Sequence, residues 1–245
     1  MINSLYKIPK QLLSKGNTNS KTAKNNLESY ILYLSPAKQN NKSINLCPKA
    51  SKGCLTACLY TAGRGKFSNV KTARINKANY YINDKINFID QLTKEITKIA
   101  AKSIKQNKKI AIRLNGTTDQ DFIALIKKYN NIDLLNDKEY KNIIFYDYTA
   151  ILGKLKKYIN TNYHLTLSRK EDNEDDILKA LRFGGNVAAV FKNGLPQKYK
   201  GFKVIDGDKS DLEMIYNKNV ILGLTAKGDA KKDTSGFVLD NINLN

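Results

Sequence analysis

From residue 29 to residue 225, short apolar runs alternate with segments whose apolar positions repeat at helical spacing. Runs at 29–34, 110–114, 143–146, 163–167, 187–191, 203–205 and 220–224 read as strands, most of them bounded by turn residues. Between the first two, Ala78, Ile82, Ile86, Ile89, Leu92, Ile96 and Ile99 recur at three- and four-residue steps across 69–106, which predicts one long helix or two in series. Further helices are expected near 120–129, 151–158 and 175–183. Parallel strands need crossover connections, usually helical. The order therefore predicts an α/β fold with a mostly parallel sheet, forming a partial or full TIM-like barrel. No linker rich in Pro, Gly or Ser divides it, so 29–245 reads as one domain. Residues 1–28, polar and basic, with Lys-Gly-Asn-Thr-Asn-Ser-Lys at 15–21, read as an arm or irregular cap.

Each apolar strand hands over to polar residues at its C-terminal end, the edge on which parallel α/β folds and barrels carry their sites. On this reading Asn115, Thr118, Asp119, Asp147, Thr149, Ser168, Arg169, Asp206, Asp208 and Lys227 face one cleft. The catalytic candidates among them are Asp119, Asp147, Asp206 and Asp208. The competing reading is that polar residues mark only where loops begin.

The loop after the first strand holds all three cysteines of the chain, Cys47, Cys54 and Cys58, spaced C-x6-C-x3-C. A disulfide framework uses an even number at wide spacing, so this odd, tight cluster points to metal or thiol chemistry. Three thiolates leave one ligand position open on a tetrahedral metal or on an iron–sulfur cluster. Zinc with a fourth protein ligand is the alternative. The only histidine, His164, falls at the start of its strand, on the opposite edge, so an aspartate such as Asp119 is better placed to complete such a site. The third reading is cysteines that bind nothing.

With 41% hydrophobic residues the chain can build a core, and no apolar run approaches the roughly 18 residues needed to span a bilayer. The first fifteen residues have no signal-peptide pattern, and cysteines outside disulfides fit a reducing cytoplasm. The formal net charge of +20 predicts salt-sensitive affinity for an anionic partner, a nucleic acid or nucleotide, although AT-rich coding also raises lysine. Thr-Ala-Gly-Arg-Gly-Lys at 61–66 is a phosphate- or carboxylate-binding turn or a flexible basic one, and Gly-Asp-Ala-Lys-Lys-Asp-Thr-Ser-Gly at 228–236 is a lid or a solvated loop. Ser210 and Glu213 are expected to cap a helix.

A strand, three cysteines in the next loop, and Asn115-Gly116-Thr117-Thr118 after the following strand form an order that resembles the radical S-adenosylmethionine (SAM) enzymes. The resemblance implies a [4Fe-4S] cluster on the three cysteines whose open iron chelates SAM. It implies that Asn115, Gly116 and Thr117 meet the SAM amine and that Ser168 or Arg169 meets its carboxylate or ribose. That family's usual spacing is C-x3-C-x2-C, and this chain departs from it. At the level of whole segments, L-Y-L-S-P-A-K, N-L-C-P-K-A-S-K-G-C, A-C-L-Y-T-A-G-R-G, R-L-N-G-T-T-D, Y-D-Y-T, Y-H-L-T-L-S-R, V-I-D-G-D and L-T-A-K-G make the chain similar to phage-encoded proteins of gene-eighty-eight type. That likeness implies a phage or mobile-element origin and carries no chemistry. The expectation is an iron–sulfur, SAM-dependent enzyme acting on nucleic acid or a nucleotide. A base-modifying transglycosylase-like enzyme, with Asp119 or Asp147 as nucleophile or base, and a basic nucleic-acid-binding protein without catalysis are the alternatives.

Overall fold

A computed structural model describes residues 5–16, 27–58, 60 and 62–240. In chain order the elements are β1 (Leu13–Lys15), β2 (Glu28–Leu32), α1 (Lys52–Thr56), α2 (Ser68–Asn83), α3 (Lys85–Lys105), β3 (Ile110–Arg113) and α4 (Phe122–Asn130). They continue with β4 (Ile143–Thr149), α5 (Leu152–Tyr158), β5 (Tyr163–Ser168), α6 (Glu174–Arg182), β6 (Asn186–Phe191), β7 (Lys198–Tyr199), β8 (Phe202–Asp206), α7 (Glu213–Tyr216), β9 (Ile221–Thr225) and β10 (Val238–Leu239). The expected α/β class with a mostly parallel sheet is present. The chain divides into two compact units, residues 1–19, 26–48 and 67–145 in the first, residues 20–25, 49–66 and 146–245 in the second.

In the first unit the strand order is β1-β2-β3-β4. Tyr30, Ile112 and Phe145 fall in one parallel register and are buried. The long helical pattern resolves into two helices in series, because Asp84 takes a non-helical φ of −143° between α2 and α3. Phe88, Leu92 and Ile96 of α3 are fully buried, one helical turn apart. Phe88 and Phe122 of α4 join Tyr80 and Tyr81 of α2 in a cluster of edge-on and tilted rings at 5.2–6.2 Å. Burial in this cluster pushes the Tyr81 phenol up to about 12.

The basic segment 1–28 is not wholly irregular. Residues 1–4 and most of the 15–21 stretch lie outside the described residues, but Leu13–Lys15 pairs antiparallel with β2. The α3 residue Glu95 accepts the Leu12 N–H at 2.8 Å and the Leu13 N–H at 2.9 Å. Lys77 of α2 donates to the Leu12 carbonyl, and its burial holds its pKa down to about 8. A three-residue strand has too few ladder bonds to persist alone, so these side chains fix its register.

In the second unit the order runs from the end of β4 through β5-β6-β9-β8-β7, parallel except for the β7–β8 hairpin. β5 pairs with Asn186–Ala188 of β6, and β10 pairs in parallel with Val190 and Phe191 of the same strand. The C-terminal strand thus occupies the lane of β5 just past its end. The expected cap at Ser210 is different in form. Ser210 accepts the Leu212 N–H at 3.0 Å, and α7 starts at Glu213. Among the described residues no helix is long and apolar enough to cross a membrane.

Glu95→Ala leaves two amide donors of β1 without their charged acceptor. It is expected to cost roughly 2–3 kcal/mol and to speed hydrogen exchange at Leu12 and Leu13. Urea unfolding and amide exchange check this, and protection equal to wild type contradicts the role assigned to Glu95.

Candidate functional site at the strand ends

In the first unit the loop after β3 is closed by its own side chains. Asn115, 2% exposed, accepts the Gln120 N–H at 2.7 Å and the Thr118 hydroxyl at 3.1 Å, and its amide donates to the Gln120 carbonyl at 3.0 Å. The loop in turn grips the segment that leads into the cysteines. The Asp119 N–H and the Gln120 amide both donate to the Leu46 carbonyl at 3.0 Å, and Tyr81 orients Gln120 from α2. The Thr117 hydroxyl donates to the Leu34 carbonyl. Cys47 sits where these ties meet. Its Sγ accepts the Ala37 N–H at 3.4 Å, and its thiol donates to the Thr117 carbonyl at 3.6 Å.

Gly116 has a structural reason to be glycine. A Cβ there would lie 2.5 Å from the Tyr33 ring and 2.9 Å from Ile31 Cγ2. The Arg74 guanidinium lies 4.5 Å from the centroid of the same Tyr33 ring. Tyr33, Arg74 and Gln120 were not foreseen as parts of the site, because nothing in their sequence spacing marks them.

The second unit holds Cys54 and Cys58. Ser51 caps α1, accepting the Cys54 N–H at 3.2 Å. Glu171, just past the end of β5, accepts the Ser51 hydroxyl and the Gly53 N–H, each at 2.7 Å. Burial alone would raise its pKa, but these donors hold the carboxyl below its ordinary value. Ala57, between the two cysteines, packs with Ala226, Ala230, Val190, Phe237 and Val238. A Cβ on Gly53 would meet Phe237 Cβ at 2.8 Å, so the C-terminal segment lies directly against α1.

The remaining candidates separate into groups. Ser168 ends β5, and the Asn173 amide donates to its carbonyl at 3.0 Å. Arg169, 8% exposed, donates through Nη1 to the carbonyls of Gly236 and Phe237, and so anchors the C-terminal segment. Asp206 accepts the Asp208 N–H at 2.9 Å, and Asp208 accepts the Thr225 N–H at 2.8 Å while pairing with Lys227 at 2.6 Å. These three form one polar turn at the ends of β8 and β9. Asp147 differs from all of them. It is fully buried and accepts the Tyr163 hydroxyl at 2.8 Å, and Tyr163 stacks obliquely on Tyr158 of α5. Its carboxylate therefore belongs to the helix-covered side of the sheet.

Cys47 lies in the first unit, Cys54 and Cys58 in the second, and all three are half-buried. Among the described residues no three His, Cys, Asp or Glu side chains are gathered as a metal-binding group. The donor chemistry nevertheless suits a soft metal, with three cysteines in one twelve-residue stretch. Charge is uneven along the chain. Glu28 is the only acidic residue among the first 83, and it is paired with Lys102 at 2.6 Å. Every segment that carries a cysteine is thus locally cationic.

The family model for Gene product 88 matches residues 11–241, nearly the whole chain. The chain belongs to the Gene product 88 family. No curated protein and no solved structure matches it significantly. The match of this Gene product 88 protein spans residues of both units and includes the positions of all three cysteines.

Three substitutions test these ties. Gly116→Ala is expected to destabilise by about 1–3 kcal/mol through overpacking, and a smaller ring site in Tyr33→Ala/Gly116→Ala should restore part of it in urea unfolding. Loss without rescue contradicts the contact. Glu171→Ala removes the acceptor that holds α1, so labelling of Cys54 by a thiol reagent at neutral pH should accelerate about tenfold. Because the folded carboxyl titrates below its unfolded value, the same loosening should appear in wild type as pH falls through the acidic range and be absent above it.

Proposed function

We propose that this Gene product 88 protein is a phage enzyme that modifies a nucleic acid or nucleotide, with Cys47, Cys54 and Cys58 holding an iron–sulfur cluster that binds SAM. The observation that carries the proposal is the anchoring of the cysteine segments. In each unit they are hydrogen-bonded to a loop that follows a parallel strand, Cys47 to Thr117 and the helix of Cys54 to Glu171. Cysteine segments tied to strand-end loops lie where an α/β fold puts reactive chemistry.

A cluster held by Cys47, Cys54 and Cys58 with SAM bound would supply radical chemistry, its electron coming from an external reductant. The chain's own residues hold and orient. The side chains of Asn115 and Thr117 are spent on the loop, so contacts to the SAM amine would fall to its backbone at Gly116 and Thr117. Ser168 is half-exposed at the end of β5 and is the candidate for a ribose or carboxylate contact. Asp119, 8% exposed beside the Cys47 segment, is the candidate for proton transfer. Asp147, bound to Tyr163 on the helix side, supports a structural role better than that of the transglycosylase-like base.

A second reading, nucleic-acid binding without catalysis, is favoured by the near absence of acidic residues from the first 83. It predicts the same salt-sensitive affinity and no metal requirement. Zinc on the same cysteines is the third.

Purification without oxygen, followed by iron and sulfide, separates them. The proposal predicts a brown protein with about four irons and four sulfides per chain, lost in Cys54→Ala. A colourless protein with about one zinc overturns the radical reading, and uptake of neither metal leaves the binding reading.

A further inference from the structure

The segment Leu5–Lys7 and one face of α2 enclose an open groove of about 660 Å³, lined by Leu5, Tyr6, Lys7, Asn69, Thr72 and Asn76 among others. It lies wholly in the first unit. Its volume falls in the range of about 300–1,000 Å³ typical of ligand clefts. The groove wall is fixed. Asn76 accepts the Lys7 N–H and donates to the Lys7 carbonyl, both at 2.6 Å, as a strand partner would. Tyr6 stacks on Tyr80 at 5.2 Å and donates to Asp84 at 3.2 Å. With its backbone so held, Lys7 leaves its side chain exposed, as does Lys10 three residues on.

Three large apolar side chains on these stretches or next to them in sequence are exposed, Leu5 at 46%, Ile8 at 65% and Phe67 at 52%. Phe67 immediately precedes Ser68, which lines the groove. Apolar and aromatic surface, edged by amides and hydroxyls and flanked by lysines, matches a particular chemistry. Unpaired bases offer flat π-faces and hydrogen-bonding edges, and their backbone offers a regular row of anions. A duplex, with its bases stacked inside, would leave the apolar surface uncovered. Charge complementarity points the same way, since the only acidic residue before Asp84 is Glu28, already paired with Lys102.

We propose that this groove binds single-stranded nucleic acid, with Phe67 stacking on a base and Lys7 and Lys10 contacting phosphates. The inference rests on the reading that the partner is a nucleic acid, and it names the surface and the strandedness.

Fluorescence anisotropy with a labelled oligothymidine and with a duplex of equal length, using the full chain, tests it. Wild type should prefer the single strand. Phe67→Ala should weaken single-strand binding about five- to tenfold with little change in the salt slope. Lys7→Ala/Lys10→Ala should flatten the dependence of log affinity on log salt by about 0.7 per lysine. All three side chains are exposed, and circular dichroism checks that the variants stay folded. Binding of the variants with wild-type affinity and slope overturns the groove while leaving a nucleic-acid partner elsewhere. No binding by wild type overturns both. A wild-type dimer that Phe67→Ala breaks assigns the surface to a second copy and also overturns the proposal.

Discussion

The structure depends on how the long irregular stretch between β2 and α2 satisfies its backbone. Among the described residues of that stretch, some thirty-five residues long, α1 and short 3-10 turns are the regular structure, and buried amides and carbonyls cannot be left without partners. The solution is the same in both units. A loop that follows a parallel strand reaches across and supplies the missing groups. Asp119 and Gln120 donate to the Leu46 carbonyl, and Glu171 accepts from Gly53 and Ser51. Each of these polar side chains or amides sits where it does because an apolar strand behind it is anchored in the core. The ladder thus positions the strand-end loops, and the loops position the cysteines.

This arrangement changes the meaning of the polar residues at the strand ends. Several spend their hydrogen-bonding capacity on the protein. Asn115 closes its own loop, Arg169 anchors residues 236–237, and Asp208 joins the ends of β8 and β9. The glycine of N-G-T-T-D makes room for Tyr33. A residue can hold a reactive group in place without touching it, and most of the polar strand ends here act in that way. The groups on which the proposed chemistry rests are the thiols, Ser168 and Asp119. The acid-poor first third of the chain supplies a cationic setting into which anionic ligands are drawn.

Much of the architecture was legible because apolar runs and helical spacing are strong signals. The α/β class, the parallel ladder and the two serial helices over 68–105 all follow from positions such as Phe88, Leu92 and Ile96. β1, β7 and β10 were not legible. Each is two or three residues long, and its pairing is decided by a distant partner, as when Glu95 fixes Leu12 and Leu13. The same limit applied to the site. The cysteines announce themselves by composition, but Glu171 acts on Gly53 across 118 positions, and no local pattern encodes that reach. Asp147 shows the converse. Its place after an apolar run marked it as a strand-end residue, yet its strand runs on to Thr149 and its side chain meets Tyr163.

The central claim is that three cysteines in separate structural settings serve one metal group. The most direct measurement is site-resolved alkylation of Cys47, Cys54 and Cys58, read by mass spectrometry before and after loading with iron and sulfide. The account predicts that all three lose reactivity together and in proportion to iron bound, and that Cys54→Ala exposes the other two. Protection of one or two independently of iron, or no protection at all, would contradict it.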